Sequence, residues 1–337
     1  MIKEAIRMLA DGVDLSEVEM IEVMHEIMDG QATPAQIASF ITALRFKGET
    51  VEEITGAARV MREKATRITP SLSGRFVDTC GTGGDLSHTF NISTTTAFVV
   101  AGTGLTVAKH GNRSVSSKSG SADLLEALGV NIEASPERVC QCLEEIGIGF
   151  LFAPVFHGAM KHAIGPRREI GIRTIFNLLG PLTNPLGAMA QVVGVYSPDL
   201  TGTVAHVLGN LGVARAFVVH GMDGLDEITI SGKSKISELR EGRVYDYYMV
   251  PEDFGIERGS ILDLEGGSAE QNARITLDLL HGAIGPRRNI TLLNAAASIV
   301  AGGLTESYPE AVKLAEKSID SGAALAKLEQ LKEVTNR

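Results

Sequence analysis

The period of the sequence changes at Arg75, and that change limits the fold more than any other feature. Beyond it, short apolar runs (FV at 76–77, LTVA at 105–108, GFLF at 149–152, QVVGV at 191–195 and AFVV at 216–219) alternate with helical stretches at 122–128, 136–146 and 202–211. Strands alternating with helices assemble a mostly parallel sheet covered on both faces. Residues 228–263 are richer in charge and in β-branched and aromatic residues, and read as strands and loops at a sheet edge. Tyr245, Tyr247 and Tyr248 fall there, as edge packing. From Ala269 the chain is helical again, ending in a charged helix near 325–334.

The first seventy residues follow a helical period. Ser16 with Glu19, Thr33 with Gln36 and Thr50 with Glu53 each fit a capping box, the second with Pro34 at the first helical position. Ile37, Phe40, Ile41 and Leu44 share one face, and Gly30 and Gly48 close helices. The expected fold class is therefore α/β: a small N-terminal helical domain (1–70) and a large α/β domain (71–337) with a mostly parallel central sheet flanked by helices. No linker or low-complexity tract separates them.

Composition excludes other classes. The 337 residues are 44% hydrophobic and 21% charged, which is globular. A net charge of −10 with no Lys/Arg cluster argues against a nucleic-acid surface. The spacing of Cys80, Cys140 and Cys142 suits neither a disulfide framework nor a zinc site. The first residues lack a signal-peptide core, and no run of about 18 apolar residues occurs, so a cytoplasmic chain with no membrane partner is expected.

Four segments carry candidate chemistry. CGTGGDLSHTFNIST at 80–94 follows a strand and opens a helix near Ser93; it matches neither a P-loop nor a dinucleotide fingerprint, but glycines leading into a helix present N–H groups to an anion. KHGNRSVSSKSGS at 109–121 also leaves a strand end, with lysines, an arginine and hydroxyls suited to several phosphate oxygens. HGMDGLDEI at 220–228 crowds Asp223, Asp226 and Glu227, an arrangement that Mg²⁺ shared with phosphate oxygens relieves. In HGAMKHAIGPRR at 157–168 a guanidinium suits a planar carboxylate. The tetrapeptide GPRR recurs at 285–288, so Arg167, Arg168 and Arg287 stay open. No catalytic nucleophile stands out, in keeping with a reaction run by binding, orientation and electrostatics.

Taken in order, DTCGTGGD…TFNIST, KHGNRSVSSKSGSADLLEALG, GPRREIGIRTIFNLLGPLTNP and HGMDGLDEI resemble the anthranilate phosphoribosyltransferase family, as does the N-terminal MDGQATPAQIASFITALRFKGET. The resemblance spans most of the chain. It implies transfer of phosphoribose from 5-phosphoribosyl-1-pyrophosphate (PRPP) to the amine of anthranilate, in tryptophan biosynthesis. It also implies Mg²⁺, two ions per subunit, and a homodimer formed through the helical domain, which would take in helices from about 170–185.

By the same resemblance, PRPP would meet Gly81, Gly84, Asp85, Thr89, Asn91, Ile92, Ser93 and Thr94, and then Lys109, His110, Gly111, Asn112, Arg113, Ser114, Val115, Ser116, Ser117 and Ser121. Anthranilate would meet Gly81, Asn112, His157 and Arg167, and the metal Ser93, Asp226 and Glu227. Two rivals are a pyrimidine nucleoside phosphorylase of like architecture and a non-catalytic nucleic-acid binder.

Overall fold

The computed structural model describes residues 1–337 apart from 73, 86 and 115–117. Its sheet has seven strands: β1 (Phe76–Gly81), β2 (Thr106–Gly111), β3 (Ile148–Phe152), β4 (Ala190–Gly194), β5 (Arg215–Gly221), β6 (Ser234–Arg240) and β7 (Arg243–Met249). Their order is β3-β2-β1-β4-β5-β6-β7. The first five run parallel and are largely buried, as strands covered on both faces must be.

β6 and β7 form the antiparallel edge. Glu241 and Gly242, at φ 53° and 73°, make the two-residue turn between them, which needs positive φ at both positions. On this hairpin the Tyr247 hydroxyl donates to Glu238 at 3.0 Å and lies 3.2 Å from the Tyr308 hydroxyl, whereas Tyr245 and Tyr248 face solvent.

Helices α1 (Ile2–Ala10), α2 (Glu17–Met28), α3 (Pro34–Lys47) and α4 (Val51–Lys64) precede the sheet. All three capping boxes form, at Ser16, Thr33 and Thr50. Each such cap is worth about 1 kcal/mol of helix stability. Leu9, Met24, Ile27, Phe40, Ile41 and Ile54 meet in one core. That core also takes in Ala163, Ile175, Phe176 and Leu179 from mid-chain, and continues onto one sheet face through Val193, Val195, Ala216 and Val218.

The opposite face packs on α5 (Ile92–Gly102) and on the helices Pro286–Gly302 and Ala323–Thr335. Ala97 to Ala101 of α5 are all essentially buried. Each large aliphatic side chain placed so contributes about 1.5–3 kcal/mol. No helix among the described residues is long and apolar enough to cross a membrane.

The chain builds β1, β2 and β3 outward and then returns to set β4 on the other side of β1. The strand order therefore reverses between β1 and β4, and ligands of open α/β sheets bind beyond the carboxyl ends at such a reversal.

Candidate active site

The β1 and β4 ladder ends on a pair of glycines, Gly81 and Gly194. The loop after β5 crosses directly over them. A Cβ on Gly194 would lie 1.6 Å from the Asp226 carbonyl oxygen, and one on Gly81 would lie 2.7 Å from Asp226 Oδ2. A side chain on Gly194 would displace the backbone of the acidic loop and one on Gly81 would push on its carboxylate, so the glycines admit that loop to the crevice floor. Gly194 was invisible in the sequence, where it reads as one more residue of an apolar strand.

Asp226 accepts the Gly83 N–H at 2.8 Å, tying the acidic loop to the glycine loop. Burial, and then the nearby Asp85 charge, push the Asp226 carboxyl up to about 7. Glu227 is raised well above the ordinary range by burial and by Asp226, with Lys109 and the Ser93 N–H pulling the other way. Ser93 stands in the first turn of α5, whose cap residue Asn91 makes no side-chain capping bond. Ser93, Asp226 and Glu227 are thus brought together at the positive end of a helix.

Asp223, the third carboxylate of that run, is not part of this group. It accepts the hydroxyls of Thr229 and Ser231 and closes its own turn. Among the described residues no three His, Cys, Asp or Glu side chains are grouped to hold a metal by themselves. Two half-buried, crowded carboxylates are nonetheless a donor set that favours a hard cation completed by substrate oxygens.

The first glycine loop is held residue by residue. Thr82 donates its N–H to Gly194 O at 2.9 Å and accepts the Tyr196 N–H on its hydroxyl at 3.1 Å. Arg173 donates to Gly84 O and stacks on Tyr196 at 4.6 Å. Asp85 accepts the Ser87 N–H at 3.3 Å. Thr89 bridges to Glu265, and Asn91 is fixed by Ser119 and Asn272. Ile92 and Thr94 are buried in α5; the Ile92 side chain belongs to the core and its N–H is spent on Phe90 O.

At the end of β2, Lys109 is buried and its ammonium donates to Thr79 O, with Ser93 Oγ at 3.5 Å. His110 turns away from the loop: Nδ1 donates to Gly180 O at 3.0 Å, leaving Nε2 to face His157 Nε2 at 3.2 Å. Burial holds both imidazoles neutral, lowering His110 to about 3 and His157 to about 4. His110, expected beside PRPP, thus joins His157, expected beside anthranilate.

The second loop closes at its neck. Asn112 N–H donates to Ser121 Oγ at 3.1 Å, and Ser114 N–H to Asp123 at 3.1 Å. A Cβ on Gly111 would meet Ser121 Oγ at 2.2 Å. Arg113 does not face the crevice, because Asp123 and Glu126, one turn apart on the helix Ser121–Ala127, bind its guanidinium at 2.9 and 2.8 Å. Val115, Ser116 and Ser117 lie outside the described residues.

The three candidate arginines differ in environment. Arg167, partly buried, stacks on Phe176 at 4.9 Å, and among the described residues no carboxylate lies within ion-pair distance of it. Arg168 is exposed. Arg287 is occupied, donating to Asp263 O and Glu265 O at 3.2 and 2.8 Å.

Sequence reasoning also missed Asp78 and Asn184. Both are fully buried, with Asn184 Nδ2 donating to Asp78 at 2.9 Å and to Ala108 O at 2.8 Å.

Comparison with known proteins identifies the family and the fold. The glycosyl transferase family helical bundle domain matches residues 3–65, and the glycosyl transferase family a/b domain matches residues 73–325. An anthranilate phosphoribosyltransferase of Acetivibrio thermocellus is 59% identical over 336 residues, covering 100% of this chain and 97% of the relative. The crystal structure of the anthranilate phosphoribosyltransferase from Thermus thermophilus superposes with a TM-score of 0.93 at 43% identity, over 99% of each chain. The Saccharomyces cerevisiae enzyme in complex with PRPP and Mg superposes with a TM-score of 0.90 at 29% identity, over 99% of this chain and 98% of that one.

Proposed function

The chain belongs to the anthranilate phosphoribosyltransferase family, and we propose that the crevice over the ends of β1, β4 and β5 is where its reaction takes place. It transfers the 5-phosphoribosyl group of PRPP to the amine of anthranilate with release of pyrophosphate, a step of tryptophan biosynthesis. The observation that carries the assignment is the seating of the Asp226–Glu227 loop on Gly81 and Gly194, where Asp226 holds the Gly83 N–H at 2.8 Å and Glu227 stands beside the first turn of α5. One half-buried acidic pair thereby joins a helix N-terminus to a glycine loop.

In this reading Gly81, Gly84, Asp85, Thr89, Asn91 and the first turn of α5 receive PRPP, Ile92 by its backbone alone. Lys109 supplies a buried positive charge beside them, and Asn112, Ser114 and Ser121 form the neck of the second loop around the phosphates. Asp85 faces ribose hydroxyls or metal-bound water, since bare phosphate would repel it. Mg²⁺ is the required ion, held by Ser93, Asp226 and Glu227 as two ions per subunit, and when bound it neutralises the pyrophosphate charge.

Anthranilate lies between His157 and Arg167, with Gly81 and Asn112 at its edge, and the Arg167 guanidinium takes its carboxylate. An aniline-type amine is neutral near pH 7, so its lone pair attacks the anomeric carbon without a strong general base. The neutral His110–His157 pair adds no positive charge near that amine.

Residues 1–70 act as a helical domain, joined by helices from about 170–185, and 71–337 as the substrate-binding domain. Val18 and Phe46, 66% and 83% exposed, stand on the helical part as apolar surface for a second copy of the chain, giving a homodimer. The setting is cytoplasmic, as for a biosynthetic enzyme with soluble substrates.

Titration calorimetry of PRPP in the presence of Mg²⁺ tests the site. Wild type should bind, Asp226→Asn should bind at least tenfold more weakly, and equal binding by the two would remove the acidic pair from the site.

A further inference from the structure

Resting on the reading of the crevice above, we propose that Asp78 and Asn184 are positioning residues that hold β1 and β2 apart at their carboxyl ends, and so set the PRPP-binding loops at their working separation. The ladders of the two strands carry the argument. β1 pairs with β4 all the way to Gly81, and β2 pairs with β3 all the way to Gly111. Between themselves, however, β1 and β2 pair only at Phe76↔Thr106 and Val77↔Val107. The two strands part just where each is about to release its loop.

Continuing that register would set Thr79 against Lys109, with the carbonyl of Ala108 and the N–H of His110 turned toward β1. Three of the four groups such a rung would use have side-chain partners instead. Ala108 O receives Asn184 Nδ2 at 2.8 Å, His110 N–H goes to Asp78 Oδ1 at 3.2 Å, and Thr79 O receives the Lys109 ammonium. Asn184 and Asp78 are themselves joined at 2.9 Å. Buried backbone groups are rarely left unpaired, so these contacts stabilise the parted strands against closing.

Three more observations fit a wedge. Asp78 and Asn184 are 0% exposed, so neither touches a ligand directly. Asn184 follows the helix Phe176–Leu182, whose Gly180 carbonyl also fixes His110. The Asn184 amide further accepts the Leu186 N–H at 3.0 Å, which orients its Nδ2 toward the split. Parting the strands also frees Thr79 O for Lys109, which fixes that buried lysine at the crevice. The wedge is thus a single network from the mid-chain helix to Lys109.

Steady-state kinetics on Asn184→Ala test the inference, with each substrate varied at saturating partner and with wild type alongside. The KM for PRPP should rise about tenfold or more, and by clearly more than the KM for anthranilate, because the split sets loops that carry most of the PRPP contacts but only Gly81 and Asn112 of the anthranilate contacts. If Asn184→Ala is not recovered folded, Asn184→Leu keeps the volume while removing the donor, and the same split is expected of it. A folded variant with a lowered melting temperature but an unchanged KM for PRPP would overturn the inference and leave a purely structural pair. Wild type inactive with PRPP, anthranilate and Mg²⁺ would instead remove the functional reading on which the inference rests.

Discussion

Gly194 and Asp226 lie in such close contact that a single added carbon on the glycine would sit 1.6 Å from the Asp226 carbonyl oxygen. The acidic loop after β5 is therefore seated on the backbone of β4, and its carboxylate reaches the glycine loop only because both strand ends are bare. Gly194→Ala must displace the loop. Overpacking of this kind costs about 1–3 kcal/mol, so the variant should melt earlier and lose PRPP binding together. A stable Gly194→Ala enzyme with normal kinetics would contradict the contact.

Glu227 should matter chiefly to turnover. Removal of a comparable electrostatic contributor typically lowers kcat about 10²–10³-fold, and Glu227→Ala is expected at about 10² or more. Initial rates across a Mg²⁺ titration check it; normal rates at limiting Mg²⁺ would sink the metal assignment.

The acidic site also predicts a pH dependence of stability in the metal-free protein. Asp226 is raised to about 7 in the fold, from an ordinary 3.8. Between those values the folded state binds the extra proton, so stability falls as pH rises through the window. Asp226→Asn removes that slope. Relative to wild type, the variant should gain stability from about pH 4 to about pH 7 and no further above it, as read by urea denaturation at fixed ionic strength. A difference independent of pH would mean that Asp226 titrates normally.

Arg167→Ala should raise the KM for anthranilate strongly and that for PRPP little, since its guanidinium stacks on Phe176 with no carboxylate of the described residues at hand. Unchanged anthranilate saturation would return the role to Arg168, because Arg287 is engaged by Asp263 and Glu265 carbonyls.

What the sequence disclosed was local or periodic. Three capping boxes were legible because the partners stand three residues apart, and the loops were legible because each follows an apolar run that had to be a strand. Contacts made across long separations were hidden. Asp78 and Asn184 are 106 residues apart, and nothing local marks either as the other's partner. Arg113 looked like a phosphate ligand by composition, yet Asp123 and Glu126 of the next helix bind its guanidinium first. Asp223 looked equal to Asp226, yet the hydroxyls of Thr229 and Ser231 both donate to its Oδ2.

The most direct measurement of the central claim is anthranilate fluorescence followed over time with purified protein, PRPP and Mg²⁺, and with PRPP or Mg²⁺ omitted in parallel. The account predicts loss of the signal in the complete mixture alone. A steady signal in the complete mixture, from protein shown to be folded, would contradict it.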